Sequence, residues 1–358
     1  MVFVLTPDYQ PILTLEEGER EFSRLRKSLE ENGVFKRSYF FYFCFFIGFF
    51  SVYVSTFYLL SVVSSYFAVV LVSIFLGFVV VQSAGIMHDA AHHAIFKTNY
   101  ANILCSHIFG AIVGANPRYW FVYHNLHHAH PNQLEKDPDL KIPFSFTSEC
   151  YLAQKGVFRW LRPIQNWTWF PLCMFTLFQM QYRQHIVNII QKYKQKLYRE
   201  IPFDVLWTCF AFFVWVGLPF VLFDPVKAVL VVCTTYLVAG FYAANIFAPN
   251  HKAMPQLGKD VSISNLEQQM ITTRNVVPSV FNDFIFMCLN YQVEHHLFPD
   301  CPRNKYKLIV PYVRELAQRT GLPYLEETPL NSFKAILKEL SAVANESKKI
   351  EKKVGEPI

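Results

Sequence analysis

Charged side chains are scarce in this sequence, and those present are not concentrated in one place. Asp, Glu, Lys and Arg together make up 17% of the 358 residues, whereas average usage is about 25%. The formal net charge is only +6, and no stretch forms the dense basic stripe that nucleic-acid binding requires. We therefore expect no nucleic-acid partner, and we predict that much of the chain is not in contact with water.

Several other signals are missing as well. The eight cysteines form no Cys-x-x-Cys pair, and Cys44, Cys209 and Cys233 lie inside apolar runs. This is typical of small buried hydrophobes and not of a disulfide framework. The apolar run at residues 1–5 is too short for a cleavable signal peptide. No internal repeat and no Gly/Ser linker divides the chain.

What the sequence has in abundance is apolar and aromatic residues, with 53% hydrophobic residues, 36 Phe and 19 Tyr. Four stretches are apolar over roughly 20 residues, the length that an α-helix needs to cross a bilayer. They are residues 38–60, 66–86, 204–222 and 226–247. The sequence therefore predicts an all-α integral membrane protein with four transmembrane helices.

Seven of the twelve histidines fall in three short boxes, at spacings that place side chains on one face of a helix. The boxes are His88-x-x-x-His92, His124-x-x-His127-His128 and Gln292-x-x-His295-His296. Imidazole binds Zn, Cu, Fe and Ni, whereas Mg and Ca prefer oxygen ligands. One tetrahedral zinc takes about four ligands, so seven histidines suit two metal ions. His251, just past the fourth span, is an eighth candidate ligand.

The boxes can share a site only if they lie on one side of the bilayer. If residues 100–115 crossed it, the first and second boxes would be about 30 Å apart. If residues 163–179 alone crossed it, the third box would be on the wrong side. We therefore predict that both stretches are interfacial or re-entrant. Residues 88–203 hold twelve Lys/Arg against six Asp/Glu, so by the positive-inside rule the boxes and both termini should be cytosolic.

The predicted organisation alternates membrane and cytosolic parts. In chain order these are a cytosolic N-terminal segment (1–37), transmembrane helices 1 and 2 (38–86), a cytosolic loop with the first two boxes and interfacial helices (87–203), transmembrane helices 3 and 4 (204–247), a cytosolic helical cap with the third box (248–340), and a charged tail (341–358). The cap would complete a di-metal histidine site. The tail shows no periodicity, so we expect it to be mobile. The membrane would be a bacterial inner membrane or the endoplasmic reticulum.

An all-nitrogen site for two metals beside apolar helices suits the oxidation of a hydrophobic substrate. Removing hydrogen from an unactivated methylene is beyond any side chain. It needs a metal that changes oxidation state and handles oxygen, which favours iron over zinc. Each imidazole also needs a partner for its second nitrogen. The candidate partners near the boxes are Asp89, Asp137, Asp139, Asn250 and Glu294.

The three boxes, and their spacing relative to four spans, resemble those of the membrane fatty-acid desaturases. The third box begins with a glutamine, Gln292, and in this it resembles the third box of the front-end branch of the family. That branch inserts a cis double bond between an existing one and the carboxyl end of the acyl chain. The segments 248–252 and 269–275 also look like those of bacterial and front-end acyl desaturases.

The resemblance implies a function and a ligand set. The substrate would be a fatty acyl lipid or acyl-CoA, with two iron ions as cofactor and O2 as co-substrate. The metal ligands would be His88, His92, His124, His127, His128, His251, His295 and His296. Gln292 would stand where other branches place a ninth histidine, and we expect it to act through water or at longer range. His93, Asp89 and Asn250 would contact the ligating histidines, directly or through water, without binding the metal themselves.

Many front-end enzymes carry a fused cytochrome b5 domain with a His-Pro-Gly-Gly motif, whereas the only His-Pro here is His130-Pro131. We therefore expect a separate electron donor, ferredoxin or cytochrome b5, which could dock on the basic segment around Lys192–Arg199. A fatty acyl or sphingolipid hydroxylase or a ketolase, using the same di-iron site, stays open. A metal transporter is disfavoured, because transporters place polar ligands within their spans and the four predicted spans contain no histidine.

Overall fold

The structure is a computed structural model that describes residues 4–354, so the end of the predicted tail, residues 355–358, lies outside it. The described residues form two compact units. We call residues 36–122 and 171–245 the span unit. We call residues 4–35, 123–170 and 246–354 the histidine unit.

Helices make up most of both units, and the histidine unit also contains four strands of two residues each. In chain order the helices are α1 (Leu15–Glu31), α2 (Tyr39–Val62), α3 (Tyr66–Ala91), α4 (Asn99–Val113), α5 (Pro117–Ala129), α6 (Ser148–Ala153), α7 (Val157–Leu161), α8 (Gln165–Cys173), α9 (Thr176–Tyr182), α10 (Asn188–Lys194), α11 (Ile201–Phe212), α12 (Leu218–Leu222), α13 (Pro225–His251), α14 (Asn265–Thr272), α15 (Val280–Ile285), α16 (Gln292–Leu297), α17 (Tyr306–Thr320) and α18 (Pro329–Val354). Shorter helical turns are 3-10 at Pro138–Leu140, Arg162–Ile164 and Arg303–Lys305, and π at Arg183–Val187 and Phe213–Gly217. The strands pair in parallel, β1 (Val4–Leu5) with β2 (Gln256–Leu257) and β3 (Asn275–Val276) with β4 (Glu326–Glu327).

The four predicted spans are confirmed as continuous apolar helices of membrane-crossing length. They are Tyr39–Val62, Tyr66–Ala91, Ile201–Leu222 and Pro225–His251. Two of these helices continue past the predicted ends, so His88 and His251 lie in their last turns. The expectation that the spans contain no histidine is therefore wrong, although both histidines lie at helix ends and not in the middle of a span.

Neither of the two shorter apolar stretches forms a further span in the described part of the chain. Residues 100–115 fall in and just after α4, which has 15 residues and is about 22 Å long. The hydrocarbon core of a bilayer is about 30 Å thick, so α4 is too short to cross it. Residues 163–179 are divided between a 3-10 turn, α8 and α9.

Within the span unit, α3 and α13 approach each other closely at Gly77. A Cβ atom on Gly77 would lie 2.8 Å from Cβ of Val238, which is nearer than two carbon atoms can pack. Glycine is therefore required at this crossing because only a residue without a side chain leaves room for α13.

The histidine unit is built around an apolar core that includes the third histidine box. α1 begins with a capping box between Thr14 and Glu17, and Phe22 on its inner face stacks on Phe298 with ring centroids 5.4 Å apart. Val293 and Leu297, one helical turn apart on α16, are buried in the same core. Because these two side chains fix one face of α16, the histidines of the box occupy the other positions of the helix.

Residues 341–354 are helical, so the expectation of a mobile tail is wrong for this part of it. α18 continues through it, with Val343 and Ala344 buried. Further along the same face, Glu351 is buried and forms an ion pair with the buried guanidinium of Arg162. The buried positions do follow helical spacing, but the later ones are polar, and hydropathy therefore did not reveal them.

We predict that replacing Arg162 with Met destabilises the histidine unit. The substitution leaves the buried Glu351 carboxylate without its cation, which should cost about 3 kcal/mol of unfolding free energy. Arg159 is exposed three residues earlier, and Arg159→Met should change stability by less than about 0.5 kcal/mol. Thermal unfolding of the purified protein measures both, and equal losses in the two variants would contradict a role for the ion pair.

Candidate metal centre

The first histidine box closes α3 in the span unit. His88 is in the last turn of the helix and His92 is its C-cap residue; both are buried, with ring centroids 4.7 Å apart. The ring of Trp120 packs edge-on against both imidazoles. Burial lowers the pKa of His92 well below its ordinary value, and His88 and His93 lower it further. The imidazole of His92 is therefore neutral, which is the form that binds metals.

The neighbours of this box differ in what they contact. The Asp89 carboxylate accepts a 2.7 Å hydrogen bond from the Tyr42 hydroxyl and lies 3.4 Å from Nδ1 of His88. His93 leaves the helix with a φ of +58°, and its ring packs against Phe121. Asp89 is thus placed as a partner of His88, whereas His93 is packed against an aromatic ring.

In the histidine unit, α5 and α16 bring three imidazoles together. The ligand nitrogens of His124, His128 and His295 lie within 4.8 Å of one another. Nε2 of His124 and Nε2 of His128 are 3.0 Å apart. The hydroxyl of Tyr306, a buried residue at the start of α17, lies 2.9 Å from Nδ1 of His295. We call these three histidines the first trio.

A second trio lies beside the first. The ligand nitrogens of His127, His251 and His296, all buried, are within 4.8 Å of one another. Nε2 of His251 is 3.1 Å from Nε2 of His296. The ring of His296 stacks on His128 of the first trio, with centroids 4.3 Å apart. Six imidazoles from α5, α13 and α16 thus form two adjoining groups of three.

Asp137 determines which nitrogen of His127 carries the proton. Its carboxylate oxygens are 3.0 and 3.1 Å from Nδ1 of His127, and the backbone N–H groups of Asn132 and Asp139 donate to the same carboxylate. A carboxylate can only accept, so Nδ1 donates the proton and Nε2 is left for a ligand role. Burial disfavours the charged imidazole, but Asp137 and Asp139 outweigh this and raise the pKa of His127.

Gln269 has the same role for His296. Its Oε1 accepts a 2.7 Å hydrogen bond from Nδ1 of His296, while its Nε2 donates to the backbone oxygen of His128 at 2.7 Å. The second contact fixes the orientation of the amide. Burial lowers the pKa of His296 well below its ordinary value, and the imidazoles of His128 and His251 add to the effect. This imidazole is therefore neutral and has Nε2 available.

Gln292 contacts a candidate ligand directly. Its Nε2 is 2.8 Å from Nε2 of His251, and its Oε1 accepts a hydrogen bond from Asn250 at 3.1 Å. Asn250 also donates to the backbone oxygen of Leu289, just before α16. The amide of Gln292 is thus in direct contact with the second trio and not at longer range. A role through a water molecule stays a prediction.

Glu294, in the middle of the third box, makes its hydrogen bonds away from the histidines. Its carboxylate accepts hydrogen bonds from the Tyr324 hydroxyl at 2.7 Å and from Asn275 Nδ2 at 2.8 Å. Burial raises the pKa of Glu294 to about 7. Oδ1 of Asn275 also accepts the backbone N–H of Val293, so these contacts fix α16 to the segments around β3 and β4.

The donor set fits a first-row transition metal. Each trio consists of imidazole nitrogens only, a composition that suits iron, copper or zinc and not magnesium or calcium. Sequence reasoning proposed Asp137 as an outer partner but assigned no role to Gln269 or Tyr306. Gln269 does lie in the segment 269–275 that carries part of the family resemblance, whereas nothing in the local sequence marks Tyr306.

The profile of the fatty acid desaturase family matches residues 64–328. The matched range contains all three boxes and His251. The chain is a member of the fatty acid desaturase family. The resemblance noted from the histidine boxes is thereby confirmed.

Individual relatives agree with this assignment. The chain is 28% identical over 292 residues to the Delta(5) fatty acid desaturase fat-4 of Caenorhabditis elegans, covering 76% of this chain and 63% of the relative. It is 26% identical over 368 residues to the Delta(8)-fatty-acid desaturase of Euglena gracilis, covering 96% and 84%. It is 30% identical over 265 residues to an acyl-lipid (9-3)-desaturase of Borago officinalis, covering 70% and 58%. The matches thus span less than two thirds of the nematode and borage proteins, but most of the Euglena protein.

We predict that Asp137→Asn weakens metal binding by about tenfold or more, because outer partners of this kind orient the ligating imidazole. Both oxygens of the Asp137 carboxylate accept hydrogen bonds, whereas an asparagine amide has only one oxygen that can accept. The substitution also removes the negative charge beside His127. Asp139→Asn is the matched control, since the Asp139 side chain is 44% exposed and lies 3.6 Å from His127. Metal content after dialysis against a graded chelator measures the difference, and equal losses would contradict a special role for Asp137.

Proposed function

We propose that this protein is an O2-dependent fatty acyl desaturase of the front-end type, which inserts a cis double bond into an acyl chain. Family membership supports this proposal, as do the relatives named for Delta(5) and Delta(8) desaturation. The observation that carries it is the pair of adjoining imidazole trios in the histidine unit. A two-metal, all-nitrogen centre is suited to oxygen chemistry and unsuited to hydrolysis by a single zinc ion.

We propose further that His88 and His92 of the span unit complete the ligand set of two iron ions. With O2, the iron ions would supply the oxidising power for removing two hydrogen atoms from adjacent methylenes. In the overall reaction, the acyl chain, O2, two electrons and two protons give the alkene and two water molecules. The proposed ligands are His88, His92, His124, His127, His128, His251, His295 and His296.

The chain's own residues have three tasks in this proposal. Burial keeps His92 and His296 neutral, so that they can serve as ligands. Asp137 and Gln269 hold the Nδ1 protons of His127 and His296, which leaves each Nε2 for the metal. The burial of all three histidines of the second trio would limit the access of water, which would otherwise compete with the substrate.

An apolar cleft inside the span unit is the proposed place for the methyl end of the chain. Its walls come from α2, α3, α4, the π turn Phe213–Gly217, α12 and α13. Lining residues include Phe57, Leu76, Ile112, Trp215 and Val232. Almost all of these side chains are hydrocarbon or aromatic, which is typical of a site for a lipid tail.

The electron donor and the orientation in the membrane stay predictions. We propose that ferredoxin or cytochrome b5 supplies the electrons on the cytosolic side. One residue of the proposed docking segment is already engaged, because Nζ of Lys192 lies 2.6 Å from the buried Asp204 carboxylate. The charge that a donor could meet therefore comes from the exposed Lys194, Lys196 and Arg199.

The function is tested by product analysis. We predict that a host lacking polyunsaturated lipids, expressing this protein and fed defined unsaturated fatty acids, accumulates acids that have lost two hydrogen atoms. The new double bond should lie on the carboxyl side of the existing one. A variant with both His127 and His295 replaced by Ala should form no product. Gain of one oxygen atom in place of the loss of hydrogen would instead identify a hydroxylase.

We predict that filling the cleft shortens the preferred acyl chain. Leu76→Trp adds ring volume at a buried position of the wall, so long chains should lose turnover more than short ones. Ile74→Trp, on the same helix, is the control because Ile74 is 42% exposed and does not line the cleft. Competition between acyl chains of two lengths measures the shift. An unchanged ratio in Leu76→Trp, with protein still folded, would remove the cleft from the proposal.

A further inference from the structure

At the C-terminal end of α4, each of the last four backbone carbonyls accepts a hydrogen bond. Gly114, at φ +68°, ends the helix, and its N–H donates to the carbonyl of Ala111 at 3.2 Å. The N–H of Ala115 donates to the carbonyl of Gly110 at 2.8 Å. These two bonds form a Schellman-type cap, and they leave the following carbonyls without a backbone donor.

The next four carbonyls along the chain, those of residues 112–115, each accept a hydrogen bond from a different side chain. The pairs are Ile112 with Trp215 Nε1 (3.0 Å), Val113 with Gln181 Nε2 (3.1 Å), Gly114 with His185 Nε2 (3.0 Å) and Ala115 with Trp207 Nε1 (2.8 Å). At an ordinary helix end such carbonyls are satisfied largely by water. Satisfying all of them with side chains is what a polypeptide requires where water is absent.

Two of the four donors lie in π-helical turns, one in each of the two such turns among the described residues. His185 belongs to the π turn Arg183–Val187, and Trp215 belongs to the π turn Phe213–Gly217. A π turn inserts an extra residue into a helix and changes the direction of the side chains around it, and such turns are frequent at functional sites. The orientation of Gln181 is also fixed, because its Oε1 accepts a hydrogen bond from the Tyr236 hydroxyl.

The same group of side chains determines where α5 begins. Asn116 is fully buried directly before α5, and its Oδ1 accepts the backbone N–H of Tyr119 at 3.3 Å, as an N-cap residue does. Its own N–H donates to Gln184 Oε1 at 2.9 Å. Its Nδ2 donates to the fully buried Asp204 carboxylate at 2.9 Å, and Lys192 neutralises that carboxylate.

We propose that these side chains act as a positioning clamp, which fixes the turn between α4 and α5 and thereby the helix that carries the second histidine box. The clamp consists of Gln181, Gln184, His185, Asp204, Trp207 and Trp215. It does not contact the reacting atoms; it sets the direction of α5, and with it the placement of His124, His127 and His128. The proposal rests on the proposed function, because the reason for precise placement is the metal centre.

The packing around Gly114 leaves no room for a side chain. A Cβ atom on Gly114 would lie 2.3 Å from Nε2 of Gln181 and 2.7 Å from Nε1 of Trp215. Any side chain at this position would therefore displace two of the four donors. Gly114 is thus required both for its positive φ and for the contact of the clamp with the backbone.

Exchanging donor and acceptor between Asn116 and Asp204 tests the clamp. Asn116→Asp puts a second carboxylate against the one at Asp204, and we expect iron bound per purified chain to fall about tenfold. The double variant with Asp204→Asn restores one amide facing one carboxylate. It should recover iron to within about twofold of the wild type, because the two sites are directly coupled. The absorption spectrum of the bound iron should recover with it.

Asn188→Asp is the matched control. Asn188 is buried in the span unit on α10 and donates none of the clamp hydrogen bonds described above, so this variant should keep its iron. Hydrogen exchange of the α5 amides gives a second readout, expected to be faster in Asn116→Asp and normal in the double variant. Normal iron and normal exchange in Asn116→Asp, or a double variant no better than the single one, would overturn the clamp.

Loss of iron in Asn188→Asp as large as in Asn116→Asp would also overturn it, because any buried charge would then suffice. A wild-type protein that binds no iron would refute the proposed function alone. In that case, the hydrogen exchange of α5 in the three variants still decides whether the clamp exists.

Discussion

The metal centre depends on keeping each buried imidazole neutral with one defined nitrogen free. Burial contributes to the first condition, since it lowers the pKa of His92 and His296, whereas the carboxylates of Asp137 and Asp139 raise the pKa of His127. Burial does not achieve the second, because a neutral imidazole can carry its proton on either nitrogen. Acceptors on Nδ1 make the choice: Asp137 for His127 and Gln269 for His296. The arrangement of α5, α14 and the loop before the 3-10 turn Pro138–Leu140 follows from the need to bring these acceptors to the histidines.

This requirement explains why so short a helix as α16 is firmly held. A six-residue helix is unstable on its own, so its placement must come from tertiary contacts. Val293 and Leu297 fix one side in the apolar core, while Glu294 bonds Tyr324 and Asn275 on another. The carboxylate inside the third box is therefore best understood as an anchor. It fixes the backbone on which His295 and His296 are carried.

Local spacing in the sequence predicts local structure well and long-range partners poorly. The four spans and the three boxes were found because hydropathy and the helical repeat act over a few neighbouring residues. The predicted spans end too early because an apolar run ends at the first polar residues, whereas the helix can continue through them, as α13 does to His251. Tyr306 was missed because its contact with His295 depends on tertiary folding and leaves no periodic trace. The tail was misjudged for a related reason, since Glu351 is a charged residue on a buried face and its partner Arg162 is far away in sequence.

The two units satisfy their buried polar groups in different ways, and the difference follows from their surroundings. The histidine unit uses charged partners such as Asp137, whose carboxylate accepts three donors around one imidazole. The span unit mostly uses neutral donors, the indoles and amides that cap the end of α4, and it buries two carboxylates, Asp204 together with Lys192 and Asp89 beside the Tyr42 hydroxyl. Lone charges are costly next to hydrocarbon, whereas a neutral donor satisfies a carbonyl without adding charge. A polar cap built from Trp, Gln and His is therefore the arrangement expected for a helix that ends among apolar spans. Such a cap also gives α5 a rigid origin, and a rigid origin is what a helix with three candidate ligands requires.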